Sequence, residues 1–296
     1  MLNIGIENIQ PKVSIETEMS IEELIDFATA IGVYSDEINQ DFKVLDQHIL
    51  AVENLISVLD NLKEHGKTSA LEALIGNQIE LSDISLEGMI GDAVKKVIDF
   101  IKGLIKKIKE FFTNSTADKV AEEISKTAEN DSNKKYNIKA LVSCVTGTID
   151  ERSRTVVNFE KSLDDMVNDI TKGLNDDKII IGSGAGTPIS AYMTAVSVET
   201  YSLTIGECKT VAKTTIDLFK KHKQYIQKFE DLLSKLEARS KSEKILRSNE
   251  IKGVKDVLEA FSIGTKRATL SLLSIRKALH GGSQNEIDSI NEKHGD

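Results

Sequence analysis

Tryptophan is absent from this chain of 296 residues, and proline and cysteine each occur only twice. With so little proline, long stretches contain nothing that covalently interrupts a helix. Cys144 and Cys208 are too few and too far apart for a disulfide framework. The expectation is a reducing compartment, with both thiols acting as small buried hydrophobes. The five histidines are scattered: no two stand at i, i+4, and none pairs with a cysteine at ligand spacing. No metal and no cofactor are expected.

Long apolar runs are missing too. Nowhere do 18 uncharged apolar residues follow one another, so no ordinary membrane-spanning helix is predicted. The start, Met1-Leu2-Asn3-Ile4-Gly5-Ile6-Glu7, has neither the positive charge nor the apolar core of a secretory signal. That predicts synthesis in the cytosol.

Catalytic signatures are lacking as well. There is no GxSxG, no phosphate-loop lysine and no carboxylate pair that spacing alone defends. Gly182-Ser183-Gly184-Ala185-Gly186 is glycine-rich, but Thr187-Pro188 and a strand-like stretch follow it where a phosphate site needs a helix N-terminus. A hairpin turn is the better reading. The chain is expected to be a non-enzyme.

What the chain does have is charge sorted by position. Residues 1–88 hold 17 Asp and Glu against 4 Lys and Arg, a balance of −13. The whole chain is −9, so residues 89–296 carry +4. The turnover falls at Ser85-Leu86-Glu87-Gly88, which makes the chain read as an acidic leader joined to a basic body.

The leader is patterned to fold. Ser20-Ile21-Glu22-Glu23 is a capping box opening a helix expected to end near Gly32. Ile38, Phe42, Leu45, Ile49, Val52, Ile56 and Leu59 then alternate at spacings of four and three, a seam that demands a partner helix. His65 and Gly66 supply a stop. Ser69-Ala70-Leu71-Glu72 caps a further short helix to Gly76.

Directly after the junction Ile90, Ala93, Val94, Val97, Ile98, Ile101, Leu104, Ile105, Ile108, Phe111 and Phe112 recur at helical period, predicting a helix over 89–112. Its opposite face carries Lys95, Lys96, Lys102, Lys106, Lys107 and Lys109 against Asp92, Asp99 and Glu110. Three readings stay open. The helix lies in a membrane interface, touches nucleic-acid phosphates, or joins a bundle with its lysines in water. The missing tryptophan anchors weaken the first. Its eleven apolar side chains, at about 1.5–3 kcal/mol each when buried, require a partner in every case.

Further on, the polar segment 113–135 reads as frayed helix or linker, with Asn130-Asp131-Ser132-Asn133 as its breaker. Helices are predicted over 136–147 and 150–173, the second closed by Gly173. Period changes over 178–204, where Lys178-Ile179-Ile180-Ile181-Gly182 is β-branched and 191–203 is rich in Thr, Val, Tyr and Ser. A small β-hairpin or meander is predicted there.

Thr204-Ile205-Gly206-Glu207 is a third capping box, opening the seam Cys208, Val211, Thr215, Leu218, His222, Tyr225, Phe229, Leu232, Leu236. His222 on this seam reads as a packed core histidine. Ile251, Val254, Leu258, Phe261, Thr265, Ala268, Leu272, Ile275 and Leu279 form the last pattern, ended by Gly281-Gly282. A polar break near Arg239-Ser240-Lys241 makes these two helices an antiparallel hairpin.

Ile84-Ser85-Leu86-Glu87-Gly88, the Lys/Ile/Phe helix that follows it, the insert 178–204 running into the capped helix at Glu207, and Leu272-Leu273-Ser274-Ile275-Arg276-Lys277-Ala278-Leu279 together resemble the internal head proteins of large T4-like and jumbo tailed bacteriophages. The likeness is architectural and covers most of the chain. It implies a virion protein made in the host cytoplasm and packed in the capsid interior with other capsid and core proteins. Such a protein is cut by a prohead protease and stays beside the phage DNA or is ejected with it.

Carried onto this sequence, the resemblance places the scissile bond at Glu87–Gly88, with Ser85 and Leu86 as recognition positions. Ser14-Ile15-Glu16 and Ser20-Ile21-Glu22 fit the same short pattern, and Ser85 also reads as a helix cap. DNA contact would be non-specific, and membrane contact by the lysine helix stays open.

The expected fold is mainly α, an elongated helical bundle with a small β-hairpin or meander insert. Its expected parts are an acidic leader 1–87, the lysine helix 88–113, a helical region 114–177, the insert 178–204, a helical hairpin 205–282 and a polar tail 283–296. Two other functions compete with packaging: an α-helical pore-forming or membrane-active protein, and a coiled-coil scaffold assembled through the seam over 38–59.

Overall fold

Long stretches without proline fold here as long helices. The computed structural model describes residues 21–65, 86–114, 117–127, 133–149, 159–176, 188–241 and 248–280. Among them eight helices and two strands follow in the order α1 (Ile21–His65), α2 (Leu86–Asn114), α3 (Ala117–Lys126), β1 (Lys135–Leu141), α4 (Val142–Ile149), α5 (Phe159–Asp176), α6 (Pro188–Ala195), β2 (Val198–Thr204), α7 (Ile205–Ser240) and α8 (Ser248–His280). The fold is mainly α with one small two-stranded antiparallel sheet.

The last helix sits at the centre. α8 packs against α1, α2, α3, α5, α6, α7 and β1. Burial accordingly runs round it: Leu258, Phe261 and Leu272 are buried, and so are Val257, Ala260, Ser262, Thr269 and Ser271. A helix covered on so many sides shows its apolar stripe only as part of its buried surface, so the sequence reads it as half of a hairpin. That half is right. α7 lies antiparallel to α8, with Arg239 bonded to Glu250 at one end (2.7 Å) and His222 to Thr265 midway (3.0 Å).

α7 opens as its sequence dictates. Thr204 N–H donates to Glu207 Oε2 at 2.7 Å, and Glu207 N–H donates back to Thr204 Oγ1 at 3.4 Å, a complete capping box. Every seam residue of α7 from Cys208 to Leu236 is buried, His222 included.

The sheet corrects two expectations. Residues 136–147 are not one helix: the chain is strand to Leu141 and helical from Val142. Tyr136, Ile138 and Ala140 alternate with Asn137 and Lys139, a period of two, and burial follows it, with Ile138 and Ala140 buried and Asn137 exposed. Nor is the insert a self-paired hairpin. β2 pairs with the distant β1, Lys135 opposite Thr204 and Leu141 opposite Val198. Within the expected insert, residues 188–195 form α6 instead, led by Pro188, where a helix needs no N–H. Residues 178–187, with the glycine cluster, lie outside the described residues.

Other boundaries move as well. α1 runs 45 residues, about 68 Å, through Gly32 to its predicted stop at His65. One glycine costs a helix only about 1 kcal/mol, too little to end it. α3 turns part of the polar segment 113–135 into helix, with Val120 and Ile124 fully buried. α5 passes Gly173 and ends at Asp176. The capping serines Ser20 and Ser69, the breaker 130–132, residues 150–158 and the tail from Gly281 lie outside the described residues.

Candidate functional site

The seam of α1 finds its partner inside the chain. Ile38, Phe42, Leu45, Ile49, Val52 and Leu59 are buried and Ile56 is half-buried, with α1 packed on α2 and α8. At about 1.5–3 kcal/mol per buried side chain, the six fully buried residues contribute roughly 10–20 kcal/mol of gross stabilisation before chain entropy is subtracted. α2 answers with the face predicted for it. Nine of its eleven apolar positions are buried, and Ala93 and Phe111 are half-buried. At the α1–α2 contact the His48 ring lies 4.9 Å from that of Phe100.

Two carboxylates of α1 reach lysines of the body. Asp41 accepts a hydrogen bond from Lys107 of α2. Asp46 pairs with Lys255 of α8 at 3.0 Å. Lys255 also meets Glu259 at 2.8 Å, and its side chain is only 10% exposed. Burial pulls the Lys255 ammonium down, but hydrogen bonds and attraction from Glu259 and Asp46 outweigh it and hold its pKa above the ordinary value.

The lysines singled out on α2 divide into two groups. Lys107 is bound to Asp41, Lys109 to Glu230 of α7 at 2.8 Å, and Lys106 to Glu110 at 3.7 Å. Lys95, Lys96 and Lys102 are exposed and make no ion pair among the described residues. Half of the face is thus spent on holding α2 to its neighbours or to itself.

The residues of the expected cut stand at the start of α2. Ser85 lies outside the described residues; Leu86 and Glu87 form the first turn, and Gly88 is exposed. A first turn has N–H groups without intrahelical acceptors, so it unwinds at small cost.

A second polar feature lies in the core, between α6, α7 and α8. Thr265 Oγ1 donates to the carbonyl oxygen of Phe261 at 3.0 Å, so it accepts from His222 Nδ1–H at 3.0 Å. That fixes the tautomer: His222 Nε2 is left to accept the Tyr192 hydroxyl proton at 2.8 Å. Desolvation in this dry setting pushes His222 down to about 3 and Tyr192 well above its usual value. Neither group exchanges protons near neutrality, and all three side chains are fully buried. The chain of bonds is a specific core fastening.

Elsewhere the chemistry is sparse. An open groove of about 460 Å³ between α3 and α7 is lined by Lys209, Lys213 and Lys220 but also by Glu122 and Asp217, so it presents no field of one sign. Cys144 and Cys208 form no disulfide and are buried as expected, and burial pushes their thiols up to about 11 and about 12. Among the described residues no cluster suits a metal ion, and no helix is long and apolar enough to cross a membrane.

Sequence reasoning missed Asp41, Asp46, Lys255 and Tyr192, because their partners are remote in sequence. Comparison with family models, with curated proteins and with solved structures finds no match for this chain.

Proposed function

We propose that this chain is a non-enzymatic internal head protein of a tailed bacteriophage. It is packed in the capsid interior with other capsid and core proteins and matured by a prohead protease that cuts after Glu87. The observation that carries the reading is positional. Charge changes sign at Ser85-Leu86-Glu87-Gly88, and the acidic side of that point sets Asp41 and Asp46 on Lys107 and Lys255 of the basic side.

The physics follows from those charges. While attached, a leader of −13 makes the molecule an anion that DNA repels. Once it has been cut and displaced, a body of +4 remains, with Lys95, Lys96 and Lys102 already in solvent. Such a surface contacts phosphates without sequence preference and loses its grip as salt rises. Glu87–Gly88 is helical, and only the first turn of α2 has to unwind to present it extended to a protease.

The test is co-production with the prohead protease of the same phage, followed by N-terminal sequencing of the product. The expected product starts at Gly88, and Glu87→Gln blocks its formation. Cutting that ignores Glu87→Gln, or that occurs elsewhere, contradicts the reading.

A further inference from the structure

The contact between leader and body has the composition of a core and the connectivity of a ligand. In sequence, α1 is joined to the body only through the 20 residues between His65 and Leu86. In space, it is held by a seam of buried aliphatic and aromatic side chains and by two ion pairs to separate helices of the body. We infer that the groove between α2 and α8 is a binding site for an acidic amphipathic helix, and that it retains α1 as a separate chain after scission.

The groove and α1 match in three respects. It needs apolar side chains at spacings of three and four, which Phe42, Leu45 and Ile49 give. It offers a lysine at each wall, Lys107 on α2, which meets Asp41, and Lys255 on α8, which meets Asp46 beside its own Glu259. It offers the Phe100 ring, which meets that of His48 at 4.9 Å and a tilt of 34°. While the chain is whole, the covalent link keeps α1 at an effective concentration of about millimolar. Cutting removes the tether but none of these contacts.

The consequence for maturation rests on the reading proposed above; the grip of the groove on α1 does not. If the cut alone leaves α1 in place, freeing Lys107 and the apolar face of α2 takes a second event that displaces the helix. Proteolysis then licenses release without performing it.

The test uses the full chain with a sequence-specific protease site inserted between Gly76 and Asn77. After cutting at low micromolar concentration, size exclusion should return both fragments in one peak, with helicity unchanged. Asp41→Lys with Asp46→Lys should weaken retention about tenfold, and adding Lys107→Asp, which meets the new lysine at 41, should restore part of it. Leu45→Asp, which puts a charge in the seam, should release the leader after cutting even where the uncut variant keeps its helicity.

Separation of the wild-type fragments overturns the inference, whether both stay soluble or the leader stays in solution above a precipitated body. Retention that ignores both the charge reversal and Leu45→Asp overturns it too, because the fragments are then held elsewhere. A native protein that is never cut would remove the maturation reading and leave this result standing.

Discussion

A Cβ on Gly264 would lie 1.9 Å from the hydroxyl oxygen of Tyr192 and 2.7 Å from its Cζ. α8 therefore leaves the Tyr192 hydroxyl a space that not even a methyl group can share, and Tyr192 uses it to reach His222. The glycine is there for close approach, since helix propensity alone would favour alanine.

The same substitution should accordingly have opposite signs at two sites. Gly264→Ala should cost about 2–4 kcal/mol through overpacking and loss of the Tyr192–His222 bond. Gly103→Ala, on the exposed face of α2 with nothing within 4 Å of its Cβ, should gain about 0.5–1 kcal/mol. Urea unfolding of both variants checks the pair, and equal effects would refute the packing argument.

His222 gives the fold an acid sensitivity with a definite window. Its folded pKa of about 3 lies below the ordinary 6.5, so the folded state keeps the ring neutral while the unfolded chain takes up a proton. The contribution is complete above pH 6.5 and is lost as pH falls from there toward 3. Between pH 7 and pH 5 the wild type should lose about 2 kcal/mol more stability than His222→Gln, which cannot titrate. Parallel pH profiles of the two proteins would contradict this.

Arg276 of α8 and Glu123 of α3 form an ion pair at 2.5 Å with side chains only 9% and 16% exposed. Glu123→Ala should destabilise by about 1–3 kcal/mol, because it removes a charged hydrogen-bond partner from a guanidinium that is only 9% exposed. Glu123→Leu combined with Arg276→Met should cost far less than the two single changes added together. An additive result from thermal or urea melts would show that the pair is not coupled.

What the sequence made legible was local and periodic. The α7 seam, the apolar face of α2, the α1 seam and the Thr204–Glu207 capping box all stand where spacing puts them, because each depends on neighbours three or four residues away. What it hid was remote. β1 was read as helix because its partner β2 comes after α4, α5 and α6, and a seven-residue alternation is a weak signal by itself. The central place of α8 is hidden by Ser262, Thr269 and Ser271, polar residues off the apolar seam that look like a solvent face and are buried.

The candidate site divides along the same line. Six lysines opposite an apolar stripe on α2 could be seen in the sequence. Which of them are free could not, since Lys107 meets a residue 66 positions away and Lys109 one 121 positions away.

The central claim is that an acidic leader helix packs on a basic body and that a protease cuts the chain between them at one bond, after Glu87. Its most direct test is the intact mass and N-terminal sequence of the protein recovered from its native particle. The account expects a body that begins at Gly88, inside a capsid. A full-length protein still carrying Met1 or Leu2, with no particle around it, would contradict it.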